Sequence, residues 1–470
     1  MGTIKQTRHT IVRLRTNRAT PLAAIAGCLS VLLLPGCSHH KQQPPVTNAA
    51  YQQALADAKK LGIVVSAKDM AQPMPPASQN AAPIYVKLTA VLDARPMSET
   101  DTAAELQSRP LDRVHTPEQL AAAVSLLKRR SDVLTVAHQA ASRPKCVFTR
   151  NWAAPDPANI PFPELGKIRE CARFLATESL LMAYRGHGVE AVRNEALSFR
   201  LAQHAGSDQT LIAFLVREAI TAITARTLQK ILVISHGDLR VAQATRQAID
   251  QNWQPPMLSA ALQHDVSMWL SEIEFLRQSR NNSRVTSVFG ISIPEEATED
   301  DKQWWDETMN ANGVYLLSET RKMIHAADLP YPQALSAETT ISQEIDRDLP
   351  PKRKIPLPWT IRQDLNHMVA HLSLSDASTF VSKQATVSAL IRVTRTAAAL
   401  FEYKAAHGLY PQSLSDLAAT MPIDPFDLKP LRYRREGKGF VVYSVGPTLH
   451  YDGNVSDKKV VAREAVFKYP

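Results

Sequence analysis

Apolar positions recur three and four residues apart through most of the chain, broken by glycine, asparagine, aspartate or proline. That spacing predicts helices that each bury one face. The clearest start is Thr116, followed by Pro117 at the first helical place and by Gln119 three residues after the cap, the arrangement of a capping box. Leu120, Val124, Leu127 and Val133 continue the stripe, which predicts one long helix over 117–142. Leu165, Ile168, Cys171, Ala172, Leu175 and Leu180 line the next, which ends at glycines. Residues 189–206 and 207–237 repeat the cadence, with Ser207 placed to cap the second and His236-Gly237 to stop it. Connections this short favour antiparallel helical hairpins.

The hairpin turning at Gly186 and Gly188 has the form of one helical repeat, but no second copy aligns with it. A non-repetitive bundle is therefore preferred to a solenoid. The periodicity fails over 281–312, where acids cluster. That stretch reads as a surface excursion with a short strand over Thr286–Ile293, packed onto the body by Trp304 and Trp305. Helices resume at 314–327 and 360–372, on either side of the proline-rich "DLPPKRKIPLPW". A last amphipathic helix carries Val387, Leu390, Ile391, Thr394, Ala397, Ala398 and Phe401 on one stripe and stops at Gly408. After it the pattern changes: a short helix capped by Ser413, the loop "DPFDLKPLRYR", the turn "EGKG" and the alternating run "FVVYSVG" predict a β-hairpin. Pro411 and Pro425 fix turns there, while Tyr403, Tyr410, Tyr433, Phe440 and Tyr443 supply a small aromatic core. The predicted fold is mainly α, helical hairpins in a bundle, with a small C-terminal α+β domain.

Composition changes this picture at the N-terminus. The formal charge is +9, but Lys5, Arg8, Arg13, Arg15 and Arg18 fall in residues 1–36 with no acid among them, and without them it is +4. Little basicity remains to support nucleic-acid binding, and "PKRK" at 351–354 reads as a solvated loop. A basic leader followed by the apolar run "PLAAIAGCLSVLLLPGC" has the parts of an export signal and is too short for a membrane span. The segment "LPGC", Leu34 to Cys37, resembles the lipobox of bacterial lipoproteins. The resemblance implies cleavage before Cys37 and lipidation of its thiol, an anchor in the bilayer. Ser38, where an aspartate would retain the protein at the inner membrane, implies an outer-membrane lipoprotein facing the periplasm or the surface.

The remaining cysteines, Cys146 and Cys171, would meet an oxidising compartment as a pair. A disulfide between them is expected, closing a proline-rich loop and adding about 3 kcal/mol; two buried thiols are the alternative. The expected domains are the signal at 1–36, a lipid anchor with a flexible Gln/Ala/Pro-rich tether at 37–83, a helical body at 84–374 and the α+β domain at 375–470.

Helix, "YP", short helix, "DPF", "PLRYR", glycine turn, "YSVGP" and "DGN", over about 375–457, resemble the C-terminal half of the major pseudopilin of type II secretion systems. The likeness implies a spine helix packed on a small antiparallel sheet. In that family the spine follows directly on a hydrophobic N-terminal helix, whereas here some three hundred residues precede it, so polymerisation in that manner is excluded. The family's calcium loop would map to Asp452 and Asp457, with Asn454 between, a thin donor set. The whole chain is also similar to large helical bacterial lipoproteins without an assigned role.

For catalysis, Asp364, His367 and His371 fall at i, i+3 and i+7 on one helix. Two histidines four apart can chelate zinc. Met368 stands where a HExxH protease needs its glutamate base, so that mechanism is excluded. Glu272 and Glu274, two apart on a helix, point away from each other. No nucleophile elbow, phosphate-binding glycine turn or CxxC pair is present. The sequence therefore favours a non-enzymatic envelope lipoprotein whose body and tail bind a protein partner, with a secretion or pilus assembly as the expected one. The rival is a periplasmic hydrolase, metal-dependent if so, with its site in the helical body.

Overall fold

The structure is a computed structural model that describes residues 45–107, 115–255, 258–280, 283, 285, 296–348, 365–374, 378–417, 422–451 and 465–470. It is mainly helical, with a small three-stranded antiparallel sheet at its C-terminal end. The lipobox with Cys37, the 351–354 run, the strand expected at Thr286–Ile293, Asp364, Asp452 and Asp457 all lie outside the described residues.

The stretch expected to be a free tether is packed from residue 45 onward. Helix α1 (Asn48–Lys60) starts at Thr47, whose hydroxyl accepts from the Ala50 N–H. Its buried Tyr51 lies against Gly313, where an added Cβ would sit 2.3 Å from the ring. Ile63 is buried, the Val64 N–H donates to the Gln263 carbonyl, and the Ala67 N–H donates to Ser271 Oγ. Enough apolar side chains are spaced through this Gln- and Pro-rich segment to bury one face. Composition alone, averaged over its length, hides them.

The capping box at Thr116 and Gln119 forms as expected. The long helix it opens, however, is two: α4 (Pro117–Arg129) and α5 (Ser131–Ala141), after α2 (Ala82–Ala94) and α3 (Glu99–Ala103). Arg130 breaks it. Its buried guanidinium donates to the Arg95 and Pro96 carbonyls at the end of α2 and to the Asp101 carboxylate. Those carbonyls have no partner within α2, and reaching them takes Arg130 to φ −116, ψ 30. Hydrogen bonds from Arg129 first, then from Ser98 and Arg130, hold the Asp101 carboxyl down at about 2.

Helices α6 (Pro163–Tyr184) and α7 (Gly188–Ala205) form the hairpin the sequence predicted, turning at Gly186 with φ +85. Helix α8 (Leu211–Ile234) is capped by Thr210 rather than Ser207, and ends at His236 and Gly237, both at positive φ. Helices α9 (Leu239–Asn252) and α10 (Leu258–Gln278) complete this layer. The region read as an excursion is, from Glu299 on, the N-terminal half of α11 (Glu299–Ala327). Its clustered acids are a helix start, with Thr298 and Asp301 in a capping box and three acids facing the helix dipole. Trp305 is fully buried and donates to the Leu276 carbonyl, and Trp304 packs beside it, so the pair is packing and not a platform. Helix α12 (Tyr331–Asp348) was not foreseen. Short α13 (Met368–Leu374) precedes α14 (Ser378–His407), which ends at Gly408 with φ +80 as expected.

Helix α14 is the spine of the last third, and it belongs to the body as much as to the tail. Glu402 accepts two hydrogen bonds from Arg246 of α9, and Arg395 donates two to Asp250 of the same helix. Phe401 sits between the layers. On one side Gly237, at φ +70, approaches so closely that a Cβ would lie 2.3 Å from the ring. On the other, the rings of Tyr410, Phe440, Phe467 and Tyr469 pack edge-on. The sheet has the order β1-β2-β3, with β1 (Arg432–Glu436) and β2 (Gly439–Tyr443) forming the predicted hairpin. The third strand, β3 (Val466–Tyr469), pairs antiparallel with β2 and was not predicted. The buried Asp424 of the "DPF" loop accepts from the Phe426 N–H, Ser444 Oγ and the Val445 N–H, pinning the loop to the end of β2. The main hydrophobic cluster runs from Tyr51 to Phe467, a second surrounds Tyr85, and Pro44–Pro470 is a single compact unit.

Candidate functional site

Cys146 and Cys171 are not joined: both are free, buried thiols. Both lie in the apolar cluster around Tyr85, and burial pushes both thiols up. The proline-rich crossing between them is ordered by an arginine instead. Arg150, 4% exposed at its side chain, lies between the Phe148 and Phe162 rings at 4.9 and 4.4 Å. Its guanidinium pairs with Asp208 at 2.7 Å and Glu164 at 3.3 Å, and donates to the Pro161 carbonyl. A planar cation with five donors can satisfy two carboxylates, a carbonyl and two ring faces at once. Nearby, His204 Nε2 donates to the Arg143 carbonyl, so its Nδ1 accepts from the Tyr85 hydroxyl at 3.0 Å. Burial brings His204 down to about 4, so the ring is neutral.

The two described histidines of the zinc candidate are engaged separately. His367 is buried, donates through Nδ1 to the Asp348 carbonyl at 3.0 Å, and packs on the Tyr315 ring at 3.9 Å. His371 of α13 is half-buried, its Nδ1 3.6 Å from the exposed carboxylate of Asp346 and outside hydrogen-bond distance. Around them Tyr315 donates its hydroxyl to Asp348, and Lys322 bridges Glu319 and Glu344 at 2.9 and 2.8 Å. Burial first, and the Asp348 and Glu319 charges after it, push the Tyr315 phenol up. This is an acid-rich, hydrogen-bonded seam joining α11, α12 and α13. Among the described residues no group of three or more His, Cys, Asp or Glu is placed to hold a metal ion. Glu272 is buried and Glu274 exposed, the divergence their spacing predicted.

The unusual ionisable groups are three glutamates within the helical body, which the sequence reading missed. Glu195, Glu218 and Glu338 are buried with both carboxyl oxygens outside hydrogen-bond geometry. Ser179, Ser198 and Thr224 flank Glu195. The Ser179 and Thr224 hydroxyls already donate to the Leu175 and Ile220 carbonyls. A buried carboxyl in an apolar core is best neutral, and burial raises Glu195 well above its ordinary value against the opposing influence of the Ser179, Thr224 and Ser198 hydroxyls. Burial likewise raises Glu218, opposed only by Arg217, to about 8, and Glu338, faced by the Val381 N–H in the first turn of α14, to about 8. A polar chain leads from Ser179 through Asn194 and Glu178 to His138 near the surface. A signal was legible: each glutamate stands in the apolar stripe of its helix, as Glu195 does between Val192 and Phe199 and Glu338 between Ala334 and Ile341.

A cavity of 10 Å³ is lined by Asp265, Trp269, Thr320, Ser373 and leucines. That is room for about one water, a partner for the unpaired Thr320 hydroxyl and not a substrate. Burial raises Asp265 to about 6 there, against hydrogen bonds from the Leu211 N–H and Trp269 Nε1. No family model, curated protein or solved structure matches the chain.

Proposed function

We propose that this chain is an envelope lipoprotein, anchored through Cys37 in the outer membrane, that binds a protein partner through its helical body and the sheet at its end. The observation that carries the anchor is the acid-free basic leader and apolar run ending in "LPGC". Among the described residues no helix is long and apolar enough to cross a membrane, so attachment to a bilayer falls to the N-terminal segment. For the partner, the support is the spine helix α14 lying on a small antiparallel sheet, the coarse plan of a pseudopilin C-terminal half, which favours a secretion or pilus assembly. The sheet has two edge strands, β1 and β3, and on β1 Arg434 and Arg435 are exposed.

Two measurements test this. Mass spectrometry of the envelope protein should find Cys37 as an acylated N-terminus, and an unmodified chain beginning at Met1 would end the lipoprotein reading. In-cell crosslinking should join the tail to pseudopilin or pilus subunits, and Arg434→Glu with Arg435→Glu should abolish those adducts. Deleting the chain after residue 375 is no test, because α14 packs against α9 and supplies the spine of the body.

A further inference from the structure

We infer that the lipid anchor is a short leash that holds one particular face of the body against the bilayer, an inference that rests on the lipidation of Cys37. Eight peptide steps separate Cys37 from Pro45, at most about 28 Å of chain when fully extended. From Val46 onward the chain is already part of the packed body. The Val46 carbonyl accepts from Asn310 Nδ2 at 2.9 Å, Thr47 caps α1, and Tyr51 is buried against Gly313. A packed chain the length of Pro44–Pro470 has a radius of gyration of about 22 Å, so the leash is shorter than the body is wide. The body can tilt on it but cannot turn its far side to the membrane.

The face so presented is the one from which residue 45 emerges. There Arg277 donates to the Asp306 carbonyl and to Asn310 Oδ1, and Arg280 donates to Asp306 Oδ1. Arg277 also pairs with the exposed Glu274, so this is a polar, ion-paired surface that can lie against headgroups without inserting. The tail is met beyond the C-terminal end of α11: from Asn310, part-way along that helix, to Ala327 is about 26 Å, and Tyr331 just beyond it reaches the Pro447 carbonyl in the tail. The same leash that holds the Asn310 face at the bilayer therefore leaves the tail around Pro447 free for a partner.

The test uses lipidated full-length protein in vesicles of phosphatidylethanolamine and phosphatidylglycerol carrying a trace of acceptor-labelled lipid. A donor fluorophore is placed at Ala49→Cys beside the exit or at Lys438→Cys in the β-hairpin, with native Cys146 and Cys171 protected by burial. Energy transfer is expected to be at least twofold higher from position 49. Equal transfer from both positions, or transfer from neither with Cys37 shown by mass spectrometry to be acylated, overturns the leash alone. An unacylated Cys37 in the same sample overturns the anchor reading and the leash with it.

Discussion

The buried glutamates make stability depend on pH in the direction opposite to a salt-bridged protein, and Glu218→Gln isolates the effect. Burial raises the Glu218 carboxyl from 4.5 to about 8 in the folded chain, while in the unfolded chain it titrates normally. Between those values the native state keeps a proton that the unfolded state has released. Its stabilising contribution is complete below about pH 4.5 and is lost as pH rises through about 8. The slope is about 1.4 kcal/mol per pH unit, so the loss is about 3 kcal/mol at pH 7 and about 5 kcal/mol above pH 8. Glutamine has the same shape and no charge to lose. Urea unfolding followed by circular dichroism from pH 4.5 to 9 should show the two proteins equal at the acid end. The variant should then become progressively the more stable, by about 3 kcal/mol at pH 7. Curves that run parallel over the whole range would refute the reasoning, since they would mean that Glu218 titrates normally in the folded state.

Other consequences are checked as directly. Arg150→Ala leaves Asp208 and Glu164 buried without their cation and should cost about 3–5 kcal/mol, read as a fall in the urea midpoint; an unchanged midpoint would show that the clamp does not order the crossing. Gly237→Ala places a methyl group into Phe401 at a left-handed φ and should cost at least about 1–3 kcal/mol. Phe401→Leu should lessen that cost in a double-mutant cycle, and strictly additive losses would separate the two sites. Peptide mapping after alkylation without reductant should find Cys146 and Cys171 protected in the native protein and both modified once it is unfolded; a disulfide-linked 146–171 peptide would contradict the free thiols of the structure.

The functional candidates were legible to different depths. The i, i+3, i+7 spacing of Asp364, His367 and His371 located a charged seam, and tertiary packing then gave the two described histidines different partners, a main-chain carbonyl and an exposed aspartate. Spacing on one helix cannot report what the neighbouring helices offer. The cysteine pair was read from its compartment. Nothing in the segment between the cysteines signals that Arg150 would find Asp208, which lies 58 residues further on. The three glutamates could have been found, because a charged residue inside an apolar stripe is visible in the sequence, but their spacing could not say that no salt-bridging cation would pair with their carboxyl oxygens.

What the sequence determined by itself was local. The capping box at Thr116, the stops at Gly237 and Gly408, the hairpin at Gly437 and the aromatic make-up of the tail follow from groups within a few residues of one another. Tertiary structure decided whatever required a partner from far along the chain. Arg130 broke a continuous helical pattern because the end of α2 had carbonyls to satisfy. Apparent tether became packed helix because α11 offered Tyr51 a glycine notch, and the tail merged with the body because Phe401 has neighbours on both sides. Local propensity is worth tenths of a kcal/mol per residue, whereas burying one aromatic side chain or satisfying one buried carbonyl is worth about 1–3 kcal/mol. Where the two disagreed, the long-range contact won.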